Sequence, residues 1–188
     1  MRLPGTNAET ERPEGLVYVD ELITTEEESR LVGILDSLRF DDIVLHGQAA
    51  RRTGRHFGLD YDYGTRTPRL GEVLPEWLLP IRGRAYELLR QDASHLEEVL
   101  VQRYPPGAGI GWHRDAPAFD SVVGVLLGAA SRLRFRRGRV REWELWETEL
   151  LPRSGYVLAG PARTAWEHSI PPTKELRYSI TFRTLRRR

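Results

Sequence analysis

The chain has 188 residues, of which 40% are hydrophobic, 29% charged and 9% aromatic, and it contains no cysteine. This composition is typical of one globular domain and excludes a disordered or fibrous protein. Without cysteine, disulfides, thiolate zinc sites and cysteine nucleophiles are excluded, so a metal ion would need nitrogen and oxygen ligands. The sequence lacks both an apolar run of roughly 20 residues that could span a bilayer and the apolar core of a signal peptide. We therefore expect a cytoplasmic monomer with no membrane partner.

The net charge of +1 hides an uneven distribution. Residues 1–45 carry eleven acidic residues against four arginines, a net charge of −7, which leaves +8 for residues 46–188. All but one of the 28 basic residues are arginines, whose guanidinium group binds phosphates and carboxylates in a bidentate way. A GC-rich genome would produce the same bias, so charge alone does not identify a partner.

The first half of the chain predicts a strand and two helices. We expect residues 1–14 to be disordered and residues 15–188 to form one domain that begins with a strand at 15–20. Thr24 and Thr25 precede Glu26–Glu28, and threonine followed three residues later by glutamate predicts the capping box of an amphipathic helix. A second helix is predicted from Pro75 or Glu76 to Arg90, with a proline in its first turn or at a kink. Between the helices, residues 51–68 lack helical periodicity and are interpreted as a hairpin or loop.

The second half of the chain, from residue 98 onward, consists of short β-like runs separated by turn residues. The runs are EVLVQRY, SVVGVLL, RLRFRR, WELWETELL, GYVLAG and RYSITFR. Several short strands that follow two helices predict an α+β domain whose second half is an antiparallel sandwich or barrel.

Two of the five histidines lie in a pattern that suits a metal ion. His113 is followed by Asp115, and side chains two residues apart on extended backbone point the same way. His168 follows at a distance that allows a neighbouring strand. Two histidines and one carboxylate leave three coordination positions open, as in non-haem Fe(II) oxygenases. The alternative is that His113 pairs with Asp115 or caps a turn.

The last predicted strand, RYSITFR, carries two arginines on one face. Alternation places Tyr178, Ile180 and Phe182 on one side and the remaining residues on the other, namely Arg177, Ser179, Thr181 and Arg183. Buried guanidinium groups need anionic partners because an unpaired buried charge is costly. A dicarboxylate co-substrate would supply them.

The segments VQRYPPGAGIGWHRD, WEHS and RYSITFR together resemble the AlkB family of Fe(II)- and 2-oxoglutarate-dependent dioxygenases. The family pattern is Asn-x-Tyr, a glycine-containing turn, HxD, a distant His and RxxxxxR. The resemblance covers residues 98–184, and the earlier HFGLDYDY and PEWLLPIRGRA segments are similar to the family's N-terminal lid and helix. It implies a double-stranded β-helix, or jelly roll, at residues 98–188. Residues 15–97 would then form a strand, a substrate lid and helices packed on one sheet.

The resemblance also implies ligands and chemistry. Iron would be bound by His113, Asp115 and His168, while 2-oxoglutarate (2OG) would be bound by Tyr104, Arg177 and Arg183, with further contacts from Gln102 and Ser179. With O2 as co-substrate, such an enzyme hydroxylates a C–H bond, and hydroxylation of an N-methyl group releases formaldehyde.

Two departures from the family pattern bear on the substrate. Gln102 replaces the family's asparagine and would have to fold back to reach 2OG. Pro117 stands two residues after Asp115, where DNA-repair members carry an acid that binds the exocyclic amine of the base. Asp120 is a candidate replacement for that acid.

Candidate substrate residues combine basic and aromatic groups, which could clamp phosphates and stack on a flipped base. The alternative for the aromatic members is that they pack the hairpin onto the sheet. The candidates are Arg51, Arg52, Arg55, His56, Phe57, Tyr61 and Tyr63 in the lid segment, with Trp112 and Trp166 beside the predicted metal ligands.

The leading hypothesis is oxidative demethylation or dealkylation of DNA or RNA bases. The alternatives are oxidation of a protein side chain by the same chemistry, and a non-catalytic nucleic-acid-binding module.

Overall fold

A computed structural model of the chain describes residues 11–45, 48–62, 67–90 and 96–186. The first ten residues, part of the segment expected to be disordered, lie outside this range, and so does Tyr63. Tyr61 lies in a described strand, but its side chain is outside the description.

The structure contains twelve strands and three α-helices in its described part. The strands are β1 Leu16–Val19, β2 Asp41–Leu45, β3 Gln48–Asp62, β4 Thr67–Leu70, β5 Leu96–Tyr104, β6 Ile110–His113, β7 Phe119–Gly128, β8 Ser131–Arg139, β9 Glu142–Leu150, β10 Gly155–Leu158, β11 Glu167–Ile170 and β12 Arg177–Leu185. The helices are α1 Thr25–Ser37, α2 Leu79–Leu89 and α3 Gly160–Thr164, and a 3-10 turn at Glu76–Leu78 precedes α2.

These strands form two antiparallel sheets that face each other. The major sheet has the order β1-β10-β7-β12-β5-β3-β2, with β4 paired to β3, and the minor sheet has the order β6-β11-β8-β9. One apolar core lies between the sheets and includes Leu126, Phe135 and Trp166. This arrangement confirms the predicted jelly roll.

Ala162 of the short helix α3 packs in the core between the sheets, whereas helices α1 and α2 pack on the other face of the major sheet. Their buried residues, including Leu31 of α1 and Ile81 of α2, join Tyr178, Ile180 and Phe182 of β12 in a second core. The predicted placement of the helices on one sheet is therefore confirmed, and one face of β12 is left for the space between the sheets. No helix in the described part of the chain is long and apolar enough to cross a membrane.

Helix α1 begins with the predicted capping box. The Thr24 amide donates to Glu27 Oε2 at 2.8 Å, and the Glu27 amide donates to Thr24 Oγ1 at 3.2 Å. The Glu27 carboxylate also accepts two hydrogen bonds of 2.5 Å from Arg84 of α2. The capping residue thus ties the two helices together.

Residues 51–68, predicted to be a hairpin or loop, contain most of the long strand β3 and the start of β4, which pair antiparallel as the strands of a hairpin do. Strand β3 also joins the major sheet. It pairs with β2, then with β5, and finally with β4. Strand β5 begins at Leu96, so the sheet continues across the boundary predicted at residues 97 and 98. The division into a lid part and a core part stays a prediction.

Candidate active site

A cavity of about 480 Å³ lies between the two sheets. Its walls come from β6 and β11 of the minor sheet and from β5, β10 and β12 of the major sheet. All eight residues predicted to bind iron or 2OG line this cavity, namely Gln102, Tyr104, His113, Asp115, His168, Arg177, Ser179 and Arg183.

The three predicted metal ligands meet at one end of the cavity. His113 and His168 are direct partners in the pairing of β6 with β11, which places their rings on the same face with centroids 4.2 Å apart. Asp115 follows β6 in the loop that leads to β7. One ligand atom of each residue lies within 4.8 Å of the others.

The ionised Asp115 and the neutral His168 suit metal binding. Burial lowers the pKa of His168 to about 3, so its ring is neutral at neutral pH. Burial alone would raise the pKa of Asp115, but the positive charges of Arg183 and Arg163 hold it well below its usual range. His113 Nδ1 lies 2.9 Å from the Gly111 carbonyl, a contact that suits a Nδ1–H donor and leaves Nε2 for a metal. One carboxylate and two imidazole nitrogens form a donor set that suits a divalent transition metal.

Two atoms of the trio also lack partners. His168 Nδ1 and Asp115 Oδ2 are buried and have no hydrogen bond within the described residues, and Asp115 Oδ2 lies 3.6 Å from His168 Nε2. Because buried polar atoms are rarely left unsatisfied, this arrangement fits a site completed by a metal ion.

Arg177 lines the cavity from the start of β12, six residues before Arg183. The residue is 1% exposed, and its Cζ lies 4.5 Å from the centroid of the Tyr104 ring. Its Nε and Nη1 atoms have no hydrogen-bond partner in the described structure. Burial lowers the pKa of Arg177, and only Tyr104 and Tyr156 are found to oppose that shift. A buried guanidinium without a carboxylate partner fits a site for one carboxylate of 2OG.

The second arginine of β12 belongs to a chain of charged groups. Arg183 Nη2 lies 3.2 Å from Asp115 Oδ1, and Arg183 Nη1 lies 2.8 Å from Glu98 Oε2. The other oxygen of the buried Glu98 is 3.0 Å from His56 Nδ1. This chain connects a metal ligand to strand β3.

The predicted 2OG contacts on β5 lie opposite β12. Tyr104 is the direct partner of Arg177 and Gln102 is the direct partner of Ser179. The Tyr104 hydroxyl donates to Gln102 Oε1 at 3.0 Å, so the longer amide is held near the arginine.

The candidate substrate residues divide into two groups. Arg52, His56 and Trp112 line the cavity. Four others do not: Arg51 is exposed, Arg55 pairs with Glu72 at 2.8 Å, Phe57 packs in the helix-side core and Trp166 is buried between the sheets.

Two of those positions correct the sequence interpretation, and the structure gives the reason. Strand β3 alternates, so Arg52 and His56 face the cavity while Phe57 faces the helices and packs against Trp77. Trp166 precedes β11 and packs edge-on against Phe135 at 6.4 Å. The suggestion that Asp120 replaces the base-binding acid is also unsupported, because Asp120 is exposed and does not line the cavity.

A comparison with known protein families decides the class of this site. The sequence profile of the 2OG-Fe(II) oxygenase superfamily matches residues 38–183. The chain belongs to this superfamily. It is therefore an oxygenase that uses Fe(II), 2OG and O2, and its resemblance to the AlkB family is confirmed by the relatives below.

Curated relatives of this oxygenase are longer proteins. An Arabidopsis thaliana "Alkylated DNA repair protein ALKBH8 homolog" is 31% identical over 185 residues, which cover 85% of this chain and 51% of the relative. The Mus musculus tRNA (carboxymethyluridine(34)-5-O)-methyltransferase ALKBH8 is 30% identical over 171 residues, which cover 86% of this chain and 25% of the relative. The chain thus spans about half of the length of the Arabidopsis relative and about a quarter of the length of the mouse relative.

Solved structures share the fold of the oxygenase. The structure of OsALKBH1 has a TM-score of 0.67 at 16% identity and covers 94% of this chain and 99% of its own. A Trichoplax adhaerens prolyl hydroxylase in complex with a hypoxia inducible factor peptide has a TM-score of 0.65 at 13% identity and covers 91% of this chain and 83% of its own.

Three residues of the oxygenase site were not predicted from the sequence. Glu98 and Tyr156 touch the site from strands far apart in the chain, and Arg163 holds the loop that carries Asp115. Arg163 is 3% exposed, and its Nη2 donates to the carbonyls of Asp115, Ala116 and Phe119 at 3.0, 2.5 and 3.1 Å. A buried arginine in the short helix α3 has no sequence signature that points to those carbonyls.

Replacing Arg163 by methionine is expected to weaken metal binding by about 10- to 100-fold, because outer partners that position ligands have effects of this size. Titration of the protein with Co(II), followed by the visible absorbance of the bound ion, measures the affinity. Arg137→Met, which removes an exposed arginine paired with Glu144, is the matched control and should bind Co(II) like the wild type. Equal Co(II) affinity of Arg163→Met and the wild type would show that the loop positions Asp115 without the guanidinium group.

Proposed function

We propose that this oxygenase removes methyl or small alkyl groups from nucleic-acid bases. The observation that carries the proposal is the aromatic and cationic composition of the cavity rim around Trp112. The guanidinium carbons of Arg134 and Arg136 lie 5.2 and 4.6 Å from the centroid of the Trp112 ring, and Trp112 itself borders the cavity. Arginines beside a half-buried aromatic ring that borders a cavity suit phosphate contacts and base stacking.

The inner wall adds to this argument. Arg52 and His56 face the cavity from β3, and Arg52 Nε is buried without a hydrogen-bond partner among the described residues. The names of the Arabidopsis and mouse relatives refer to DNA repair and to tRNA, which supports the same class of substrate.

The proposed roles of the residues follow from their positions. His113, Asp115 and His168 would hold Fe(II), and Arg177 would bind one carboxylate of 2OG. When bound, iron and 2OG activate O2 so that one oxygen atom enters a substrate C–H bond and the other enters succinate, with loss of CO2. An N-methyl substrate then becomes an N-hydroxymethyl group, which breaks at the C–N bond to give formaldehyde as the hydroxyl proton moves to nitrogen.

One observation favours a second candidate substrate, a protein side chain. Pro117 is exposed and offers no hydrogen bond where the DNA-repair members carry a base-binding acid. Oxidation of a protein would use the same metal and 2OG sites with a different rim contact.

The test is succinate release from 2OG by the anaerobically iron-loaded protein after O2 is admitted. A single-stranded DNA containing 1-methyladenine, and an RNA of the same sequence, are compared with their unmethylated counterparts, and His113→Ala serves as the inactive control. We expect a methylated oligonucleotide to increase succinate and to release formaldehyde in equal amount, with a response that weakens at high salt. Succinate release that ignores both methylated oligonucleotides would overturn the nucleic-acid substrate and leave the oxygenase class intact.

A pair of tryptophan variants tests the rim. Trp112 and Trp143 both stack on Arg136, at 4.6 and 4.4 Å, but only Trp112 lines the cavity. Trp112→Leu should raise the KM for the active oligonucleotide by about 10-fold, since stacking on a base contributes about 1–3 kcal/mol. Trp143→Leu should leave that KM near the wild-type value, and equal effects of the two substitutions would contradict base contact at Trp112.

A further inference from the structure

Tyr156 lies on β10 and forms part of the cavity wall without a role in the predicted site. It pairs directly with Gly124 of β7, which in turn pairs with Thr181 of β12. Direct partners in adjacent strands share a face, so Tyr156 is on the same face of the major sheet as the arginines of β12. Its position in the strands therefore directs it towards the space between the sheets.

Gly124 makes room for this ring. A Cβ atom at position 124 would lie 2.3 Å from Tyr156 Cζ, 2.4 Å from Cε1 and 2.6 Å from the hydroxyl oxygen. Distances below 3.0 Å cannot be accommodated without a shift of the ring. The phenol thus lies flat across the backbone of β7 and occupies the space that a side chain at position 124 would fill.

The hydroxyl group of Tyr156 has no hydrogen-bond partner among the described residues. The residue is 9% exposed, and tyrosine hydroxyls usually have a partner when buried. Burial, together with the charge of Asp115 and with Tyr104, raises the pKa of Tyr156. At neutral pH the phenol is therefore a hydrogen-bond donor.

The neighbourhood of the hydroxyl contains the predicted 2OG partners. Tyr156, Arg177 and Arg183 line the same cavity, and the Tyr156 ring lies over Gly124, whose direct partner on β12 is Thr181, between the two arginines. Arg177 has two guanidinium nitrogens without partners in the described structure. An oxygen-rich anion between these groups would satisfy the arginine and the phenol together.

We infer that Tyr156 is a further 2OG-binding residue, whose hydroxyl donates a hydrogen bond to a 2OG oxygen while its ring, seated on Gly124, forms one wall of the 2OG pocket. This inference rests on the proposed assignment of Arg177 to a 2OG carboxylate. It gives the pocket three polar contacts from three different strands: Tyr104 of β5, Arg177 of β12 and Tyr156 of β10.

The test measures binding of 2OG to the Mn(II)-loaded protein under anaerobic conditions, so that no turnover is involved. Tyr156→Phe removes only the hydroxyl and should raise the Kd for 2OG by about 10-fold or more, because a hydrogen bond to a charged group contributes about 1.5–3 kcal/mol. Tyr18→Phe is the matched control, since Tyr18 is the β1 partner of Tyr156 but its hydroxyl accepts from the Leu151 amide. The Kd of Tyr18→Phe for 2OG should match that of the wild type.

The outcomes separate the two assignments. If the wild type binds 2OG and Tyr156→Phe binds it equally well, Tyr156 is not a 2OG ligand, while the site at Arg177 stands. If the wild type loaded with Mn(II) does not bind 2OG at all, the 2OG site itself is wrong, and this inference is overturned with it.

A second pair of variants tests the ring position by stability and binding together. Gly124→Ala should lower the melting temperature and the 2OG affinity because the new methyl group displaces the ring. Adding Tyr156→Leu should recover the melting temperature, since the clash disappears, but not the affinity. Wild-type 2OG affinity in Gly124→Ala would show that the ring does not form the pocket wall.

Discussion

Substitution of Arg177 by methionine is expected to abolish 2OG binding while leaving the ligand-free protein at least as stable as the wild type. The guanidinium group is buried with two nitrogens unpartnered among the described residues, so it costs folding free energy until an anion binds. Replacing an unpaired buried charge by an apolar side chain of similar length removes its desolvation cost, so the ligand-free variant should not be destabilised. Loss of a buried charge partner weakens binding by about 2–5 kcal/mol, which corresponds to 30-fold or more.

Two measurements on the same variant check this. Equilibrium binding of 2OG to the Mn(II)-loaded protein gives the Kd, and urea unfolding of the metal-free protein gives the free energy of unfolding. The control is Arg132→Met, which replaces an exposed arginine paired with Glu147 at 2.8 Å. It should change the Kd for 2OG and the free energy of unfolding only slightly. A variant at Arg177 that binds 2OG normally, or that unfolds far more easily than the wild type, would show that Arg177 has a structural partner instead.

Substitution of Glu98 is expected to cause the largest loss of folding stability. Its carboxylate is 1% exposed and joins His56 of β3 to Arg183 of β12. Glu98→Ala removes the anion between these groups and should lower the free energy of unfolding by about 3–5 kcal/mol, as observed when one partner of a buried ion pair is removed. Metal affinity should fall as well, because Arg183 also contacts Asp115.

Chemical unfolding of the metal-free variant and Co(II) titration measure the two effects. Glu97→Ala is the matched control, because Glu97 precedes Glu98 on β5, points to the opposite face and does not line the cavity. A loss at Glu98 no larger than the loss at Glu97 would mean that the pair between β3 and β12 contributes no net stability.

The sequence predicted those parts of the site that depend on local spacing. The HxD pair, the alternation of Arg177 and Arg183, and the capping box at Thr24 each follow from residues close in the chain, and the structure has each of them. His168 as a third ligand and a dicarboxylate partner for the arginine pair also came from the residues, and the resemblance to the AlkB family identified that partner as 2OG and added Tyr104 and Gln102.

The parts that the sequence could not predict depend on strand pairing and register. Because residues 51–68 were interpreted as a hairpin or loop, the alternation of β3 was not applied, and Phe57 was grouped with His56 although they face opposite ways. Glu98 acquires its role only when β5 is placed between β3 and β12. Tyr156 depends on the pairing of β10 with a glycine in β7, a contact that neither segment indicates alone.

The two halves of the site belong to different sheets. His113 and His168 project from the minor sheet, Arg177 and Arg183 from the major sheet, and the contact of Asp115 with Arg183 joins them. A metal ion bound to the minor sheet and 2OG bound next to it on the major sheet would therefore link the two sheets. Each ligand would then bind more tightly when the other is present. By thermodynamic reciprocity the two enhancements are equal. The same link would oppose separation of the two sheets. Protection of strands β6, β11 and β12 from proteases and from hydrogen exchange would therefore report whether the site is occupied.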